Sequence, residues 1–151
     1  MQFSIFKNQL SSWQGRSLVI GLNEDFIDSQ LATIGFIVDL KQLIKKLNNS
    51  NFKGEIGSSI SLEILGQNLD SLTIIGLGEK NKMNSDVLRN SLSECIRKIV
   101  NKEEKIGVLM PWDGLENNAI YDIVEILRLS TYKDNRFNKH RDEKINLKEI
   151  E

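Results

Sequence analysis

LTIIGLG, residues 72–78, is an apolar run interrupted only by Thr73 and closed by a Gly-Leu-Gly turn. A near-continuous apolar run of this length suits a strand covered on both faces, as in a sheet with helices on each side. Two other stretches have the same character. SLVIGL, residues 17–22, is flanked by Gly15 and Asn23, and KIGVLM, residues 105–110, is stopped by Pro111, the one proline of the chain. Helical periodicity lies between them. Leu40, Leu43, Ile44 and Leu47 recur at helical spacing, and Asn48, Asn49, Ser50 and Asn51 end that helix because short polar side chains compete for its backbone groups. Ser85 and Asp86 are placed to start a helix whose Leu88, Leu92, Cys95, Ile96, Ile99 and Val100 form one stripe. Asp113 and Glu116 have capping-box spacing and open a helix carrying Ala119, Ile120, Ile123, Val124 and Leu127.

Two segments alternate instead. QFSIF (residues 2–6) reads as a short strand, and SISLEIL (residues 59–65) has the period of a half-solvated antiparallel or edge strand, with Gly54, Gly57 and Gly66 marking turns around it. Between Asn23 and Ser29 the chain is polar before the apolar positions Leu31 and Ile34. Strands alternating with helices give an α/β class, with a mixed, mostly parallel sheet flanked by helices on both faces. After Tyr132 the character changes, and residues 133–149 are dominated by charge. The expected organisation is therefore a single α/β domain over 1–132 and a charged segment over 133–151. LKEI, residues 147–150, looks like the start of a strand, and its abrupt stop at Glu151 reads as a boundary within a longer polypeptide.

Composition narrows the function classes. The chain has 151 residues, 40% hydrophobic and 27% charged, which is ordinary for a globular domain. Lys+Arg 20 against Asp+Glu 21 gives a net charge of −1, without the basic footprint of a general nucleic-acid binder. One Cys and one His exclude thiolate zinc sites, imidazole metal cages and a disulfide framework. No apolar run reaches membrane-spanning length, and MQFSIFKNQLSSW lacks the pattern of a secretory signal. With a free thiol, this points to a reducing, cytoplasmic compartment.

Gly76-Leu77-Gly78 is the most suggestive local feature, since backbone amides between a strand and a helix can cradle phosphate. Asn81 stands where a dinucleotide fingerprint needs its third glycine, and the competing reading is a tight strand exit requiring φ > 0. Gly54-Glu55-Ile56-Gly57 could bind an anion, but its glycines suit turns, and Glu55 has no identifiable acid/base partner. Glu24, Asp25 and Asp28 precede a helix, and Glu103 and Glu104 sit in a charged turn; no spacing among them announces a metal site. Cys95 lies on an apolar stripe and reads as a small hydrophobe. His140 belongs to the charged tail without a Ser or Cys partner, and Trp13 and Trp112 read as packing residues. Lys133, Arg136, Lys139 and Arg141 are followed at once by Asp142 and Glu143, so a solvated segment outweighs a nucleic-acid patch.

Taken in order, SLVIGL, NFKGEIGSS, LTIIGLGEKN and the helix end ILRLSTYKDNRF resemble the amino-terminal domain of the leucyl aminopeptidase family, the cytosol aminopeptidase type of dinuclear metallopeptidase. The resemblance covers nearly the whole chain, from about Phe3 to Ile150. It implies a mixed sheet between helices related to the macro-domain fold. It further implies that the complete polypeptide is a cytoplasmic hydrolase releasing amino-terminal residues from peptides, usually as a homohexamer. Family members hold two divalent metals, zinc or manganese, through Lys, Asp and Glu of the carboxyl-terminal domain. The Asn-Thr-Asp-Ala-Glu-Gly-Arg signature is absent here, so no catalytic, cofactor-binding or metal-ligating residue is carried onto any position, and this chain alone is not expected to be an enzyme. The implied role is in assembly and access to the active site, with the catalytic carboxyl-terminal domain as partner. Two other readings stand beside it: a free-standing macro-like module binding ADP-ribose or a nucleotide at the Gly76–Gly78 turn, and a small assembly protein without a ligand.

Overall fold

The computed structural model describes residues 1–64, 69–110, 119–132 and 145–151. Gly66, the Asp113 and Glu116 capping box with Pro111 and Trp112, and the tail cluster around Lys133, Arg136, His140 and Arg141 lie outside them. In chain order the elements are β1 (Gln2–Phe3), β2 (Ser17–Leu22), α1 (Ile27–Ala32), α2 (Leu40–Asn49), β3 (Ser59–Glu63), β4 (Ser71–Gly76), α3 (Ser85–Ile99), β5 (Lys105–Leu109), α4 (Ala119–Ser130) and β6 (Glu149–Ile150).

The three apolar runs form the middle of one sheet ordered β1-β6-β5-β2-β4-β3. β2 pairs in parallel with β4 from Ser17↔Ser71 to Leu22↔Gly76, and with β5 on its other edge from Ser17↔Ile106 to Ile20↔Leu109. Every residue of β2 is buried. Leu18, Ile20, Leu72 and Ile74 face Leu31, Leu43 and Leu47 of α1 and α2. Val19, Ile75 and Ile106 face Leu88, Leu92 and Ile96 of α3 and Ile123 and Leu127 of α4. Helices thus cover both faces, which is why the strand sequences cannot alternate. Each side chain buried in this way stabilises the fold by about 1.5–3 kcal/mol.

β3 pairs antiparallel with β4 at the sheet edge, from Ser59↔Ile75 to Glu63↔Ser71, and its exposed and half-buried residues alternate as expected for an edge strand. Helix starts follow local side-chain chemistry. Asp39 Oδ1 accepts from the Lys41 and Gln42 amides at 2.9 and 3.3 Å and opens α2. Asn84 Oδ1 accepts from the Asp86 and Val87 amides, both at 3.0 Å, and opens α3 at Ser85.

Two segments depart from the sequence reading. Only Gln2 and Phe3 of the expected strand 2–6 pair, because β6 offers a two-residue ladder that ends with the Ser4 amide on the Ile150 carbonyl at 3.1 Å. The polar stretch after Asn23 is already helical from Ile27, following a 3-10 turn at Glu24–Phe26; Leu31 buries against the sheet and stabilises the turn. LKEI, read as the start of a strand, supplies β6, with Glu149–Ile150 inserted between β1 and β5.

Candidate functional site

The Gly76–Gly78 turn is where the sequence places its most suggestive chemistry. β4 ends at Gly76, and Gly78 has φ 71°, a left-handed conformation that glycine adopts without the strain of a side chain. The amides of this turn face other backbone, not open space. Gly76 N–H donates to the Ser58 carbonyl at 2.8 Å, Leu77 N–H to Leu22 at 2.9 Å and Gly78 N–H to Gly54 at 2.8 Å. The Gly78 carbonyl accepts from the Glu24 amide at 3.1 Å and from Asn23 Nδ2 at 3.2 Å. A Cβ on Gly76 would run into the Glu55 carbonyl and Ser58 Oγ, with the Gly54 carbonyl carbon at 2.6 Å. The loop carrying Gly54 to Ser58 therefore lies directly on the strand exit.

An amide cradle needs donors free to meet an anion, and these three are spent. The next helix offers no substitute, since Asn84 takes its first amides. Asn23, fully buried, ties the same corner: its backbone amide donates to Gln30 Oε1 at 2.7 Å and its Oδ1 accepts from Gln30 Nε2 at 3.0 Å. The corner is a packed junction between two strand ends and a loop, as the tight-exit reading expects.

The charged groups around it are dispersed in solvent. Glu24, Asp25, Asp28 and Glu55 are exposed. Asp25 Oδ1 accepts weakly from the Lys80 amide at 3.4 Å, and Lys82 pairs with Glu79 at 2.6 Å. That hydrogen bond holds the Lys82 ammonium above its ordinary range, with smaller help from Glu24 and Asp25. Glu104 binds Lys148 at 3.0 Å. Among the described residues no three His, Cys, Asp or Glu side chains come together as a metal ion would need. Cys95 is buried between α3 and α4, and burial raises its thiol from 9.0 to about 11, so it has little thiolate to offer at neutral pH.

A second constellation escaped sequence reading because its members are far apart in the chain. At the β6 end of the sheet, Glu151 Oε2 accepts from Trp13 Nε1 at 3.1 Å and lies 3.0 Å from Lys105 Nζ, while Glu151 Oε1 accepts from Ser4 Oγ at 3.4 Å. Lys105 also donates to Glu149 Oε1 at 3.1 Å, and its hydrogen bonds to Glu151 and then Glu149 raise its pKa. Trp13 is 2% exposed and its ring lies over Gly107. A carboxylate held by an indole, a hydroxyl and an ammonium fixes the position of the chain here. Beside it opens an apolar cavity of about 240 Å³ walled by the amino-terminal segment, β5 and α4.

Neither constellation resembles a hydrolytic centre, and comparison with known proteins explains the architecture. Residues 19–141 match the family model described as the cytosol aminopeptidase family, N-terminal domain. A relative named probable cytosol aminopeptidase from Prochlorococcus marinus (strain MIT 9312) is 50% identical over 152 residues, spanning 100% of this chain and 31% of that protein. The chain thus spans about a third of the length of the curated relatives it matches. Among solved structures, a tomato leucine aminopeptidase mutant superposes with a TM-score of 0.71 at 20% identity, covering 99% of this chain and 32% of its own. The bottromycin maturation enzyme BotP, in complex with Mn, gives 0.59 at 12% identity over 90% of this chain. These two likenesses establish a shared fold, and the family match is what assigns the sequence. The chain belongs to the N-terminal domain family of the cytosol aminopeptidases.

Proposed function

We propose that this chain is the non-catalytic front domain of a cytoplasmic leucyl aminopeptidase, macro-like in fold, whose complete form is a homohexamer releasing amino-terminal residues from peptides. The observation that carries this reading is the family match over residues 19–141, joined to a chain that spans 31% of its relative's length. The complete enzyme would use a pair of divalent ions, manganese or zinc, to activate a water and polarise the scissile carbonyl. The described residues of this chain do not fit such a pair. They bring no three donor side chains together, their cysteine is buried in apolar surroundings, and their exposed carboxylates are dispersed or salt-bridged. In this reading the ions would be held by the carboxyl-terminal remainder, with which this domain would pack, assisting assembly and shaping access to the active site.

The test is an aminopeptidase assay on the polypeptide encoded by the whole gene, using leucine 4-nitroanilide with manganese or zinc. Metal-dependent release of nitroaniline is expected. A whole polypeptide that is folded, metal-loaded and inert toward every aminoacyl anilide would refute the reading.

A further inference from the structure

The groove at the β5 edge has a geometry that names its occupant. β6 runs parallel to β5, and the hydrogen bonding continues one residue past it: Glu151 N–H donates to the Ile106 carbonyl at 3.0 Å, and Val108 N–H donates to the Glu151 carbonyl at 2.7 Å. In that register the next groups along the β5 edge are the Val108 carbonyl and the Met110 amide. The cavity of about 240 Å³ lies along this edge, and Glu151 is part of its wall. The other walls are apolar: Ile5 and Leu10 on one side, Val108 and Leu109 at the floor, Ile120 and Val124 on the other. Ile5 and Ile120 remain well exposed, at 61% and 45%. The Glu151 side chain is clamped by Trp13, Ser4 and Lys105, so the direction in which the backbone leaves is set as well as its position.

We infer that the groove is the docking slot for the polypeptide immediately following Glu151, which extends β6 along Val108–Met110 and covers the apolar walls. This rests on the proposed reading of the chain as the front part of a longer polypeptide. Strand alternation then sets the chemistry of the occupant. The Ile150 side chain belongs to the core cluster beneath α4 and that of Glu151 to the Trp13 side. The first residue beyond Glu151 would therefore point toward α4 and the second toward Trp13 and Leu10. Apolar side chains fit both positions. Extending the ladder would also remove an open parallel edge from the sheet, a surface that otherwise invites pairing with other chains. Through this strand, the orientation of the following domain would be tied to the Trp13–Glu151–Lys105 clamp.

Hydrogen exchange on the whole polypeptide tests the slot, with wild type, Ile120→Arg and Tyr121→Arg compared. Tyr121 is the neighbour on α4, 76% exposed and outside the groove. In wild type, the Met110 amide and the amides just beyond Glu151 are expected to be protected as ladder members. Ile120→Arg should speed their exchange about tenfold or more, while Tyr121→Arg leaves it unchanged. Exchange of these amides at the free-chain rate in wild type, or equal behaviour of the two variants, would overturn the inference. So would protection that appears only as protein concentration rises, which would give the groove to a second copy. Peptidase activity measured on the same wild-type sample separates the two ideas: activity with an unprotected segment defeats the slot alone, whereas a folded, metal-loaded and inert polypeptide defeats the reading on which it rests.

Discussion

Replacing Gly76 by alanine should be among the most damaging single-methyl changes in the domain. The added Cβ would point at backbone, toward the Glu55 carbonyl and the Gly54 carbonyl carbon, as well as at Ser58 Oγ. Backbone atoms cannot swing aside as the end of a side chain can. Forcing one methyl into a filled space costs about 1–3 kcal/mol. If the loop lifts instead, the hydrogen bonds from Gly76 to Ser58 and from Gly78 to Gly54 are lost, each worth about 1 kcal/mol. The two routes are alternatives, and a loss of about 2–3 kcal/mol follows, or roughly 4–12 °C in Tm for a domain of this size. Urea unfolding of the 151-residue chain followed by tryptophan fluorescence measures it. Gly57→Ala is the control: unlike Gly76, Gly57 has a positive φ of 79°, but its added Cβ would meet nothing within 4 Å, so only the left-handed strain of about 1–2 kcal/mol applies. If Gly76→Ala proves no more destabilising than Gly57→Ala, the account of the strand exit as a closed backbone junction is wrong.

Four further expectations rest on the same geometry. Asn84→Ala removes the acceptor for two α3 amides and should cost about 1 kcal/mol by denaturant titration, with no change in the slope of the transition. Cys95, with its thiol raised to about 11, should react with iodoacetamide at pH 8 about 100-fold more slowly than a free thiol of ordinary pKa, and at the ordinary rate in urea. The same shift makes stability fall as pH rises from 9 toward 11: the unfolded chain loses the thiol proton first, so deprotonation favours unfolding. Because the amides of Gly76, Leu77 and Gly78 are already paired, calorimetry with millimolar ADP-ribose should give no binding heat; saturable heat lost in a Gly78→Ala variant would reopen the phosphate reading.

How much of this was legible in the sequence depended on range. The central strands showed themselves because a strand buried on both faces must be apolar throughout, and SLVIGL and LTIIG satisfy that locally. Edge strand β3 betrayed itself by alternation for the complementary reason. The end of α2 and the start of α3 were readable from short polar side chains, Asn48 to Asn51 and Ser85 with Asp86, while the capping side chains themselves are Asp39 and Asn84. By contrast, whether Gly76–Gly78 binds an anion turned on acceptors at Ser58, Leu22 and Gly54, positions 18 to 55 residues away, as subtraction of their numbers gives. The clamp joining Trp13 to Glu151 spans 138 residues and has no periodic signature. The short β1 is similar: QFSIF alternates like a longer strand, but its pairing length is decided by what β6 presents.

The measurement that bears most directly on the central claim is metal stoichiometry paired with peptidase activity, made on the purified 151-residue chain and on the whole polypeptide side by side. Equilibrium dialysis against manganese, followed by the leucine anilide assay, should find bound metal and hydrolysis in the whole polypeptide and neither in the 151-residue chain. Stoichiometric metal on the short chain, with hydrolysis that tracks it, would contradict the account.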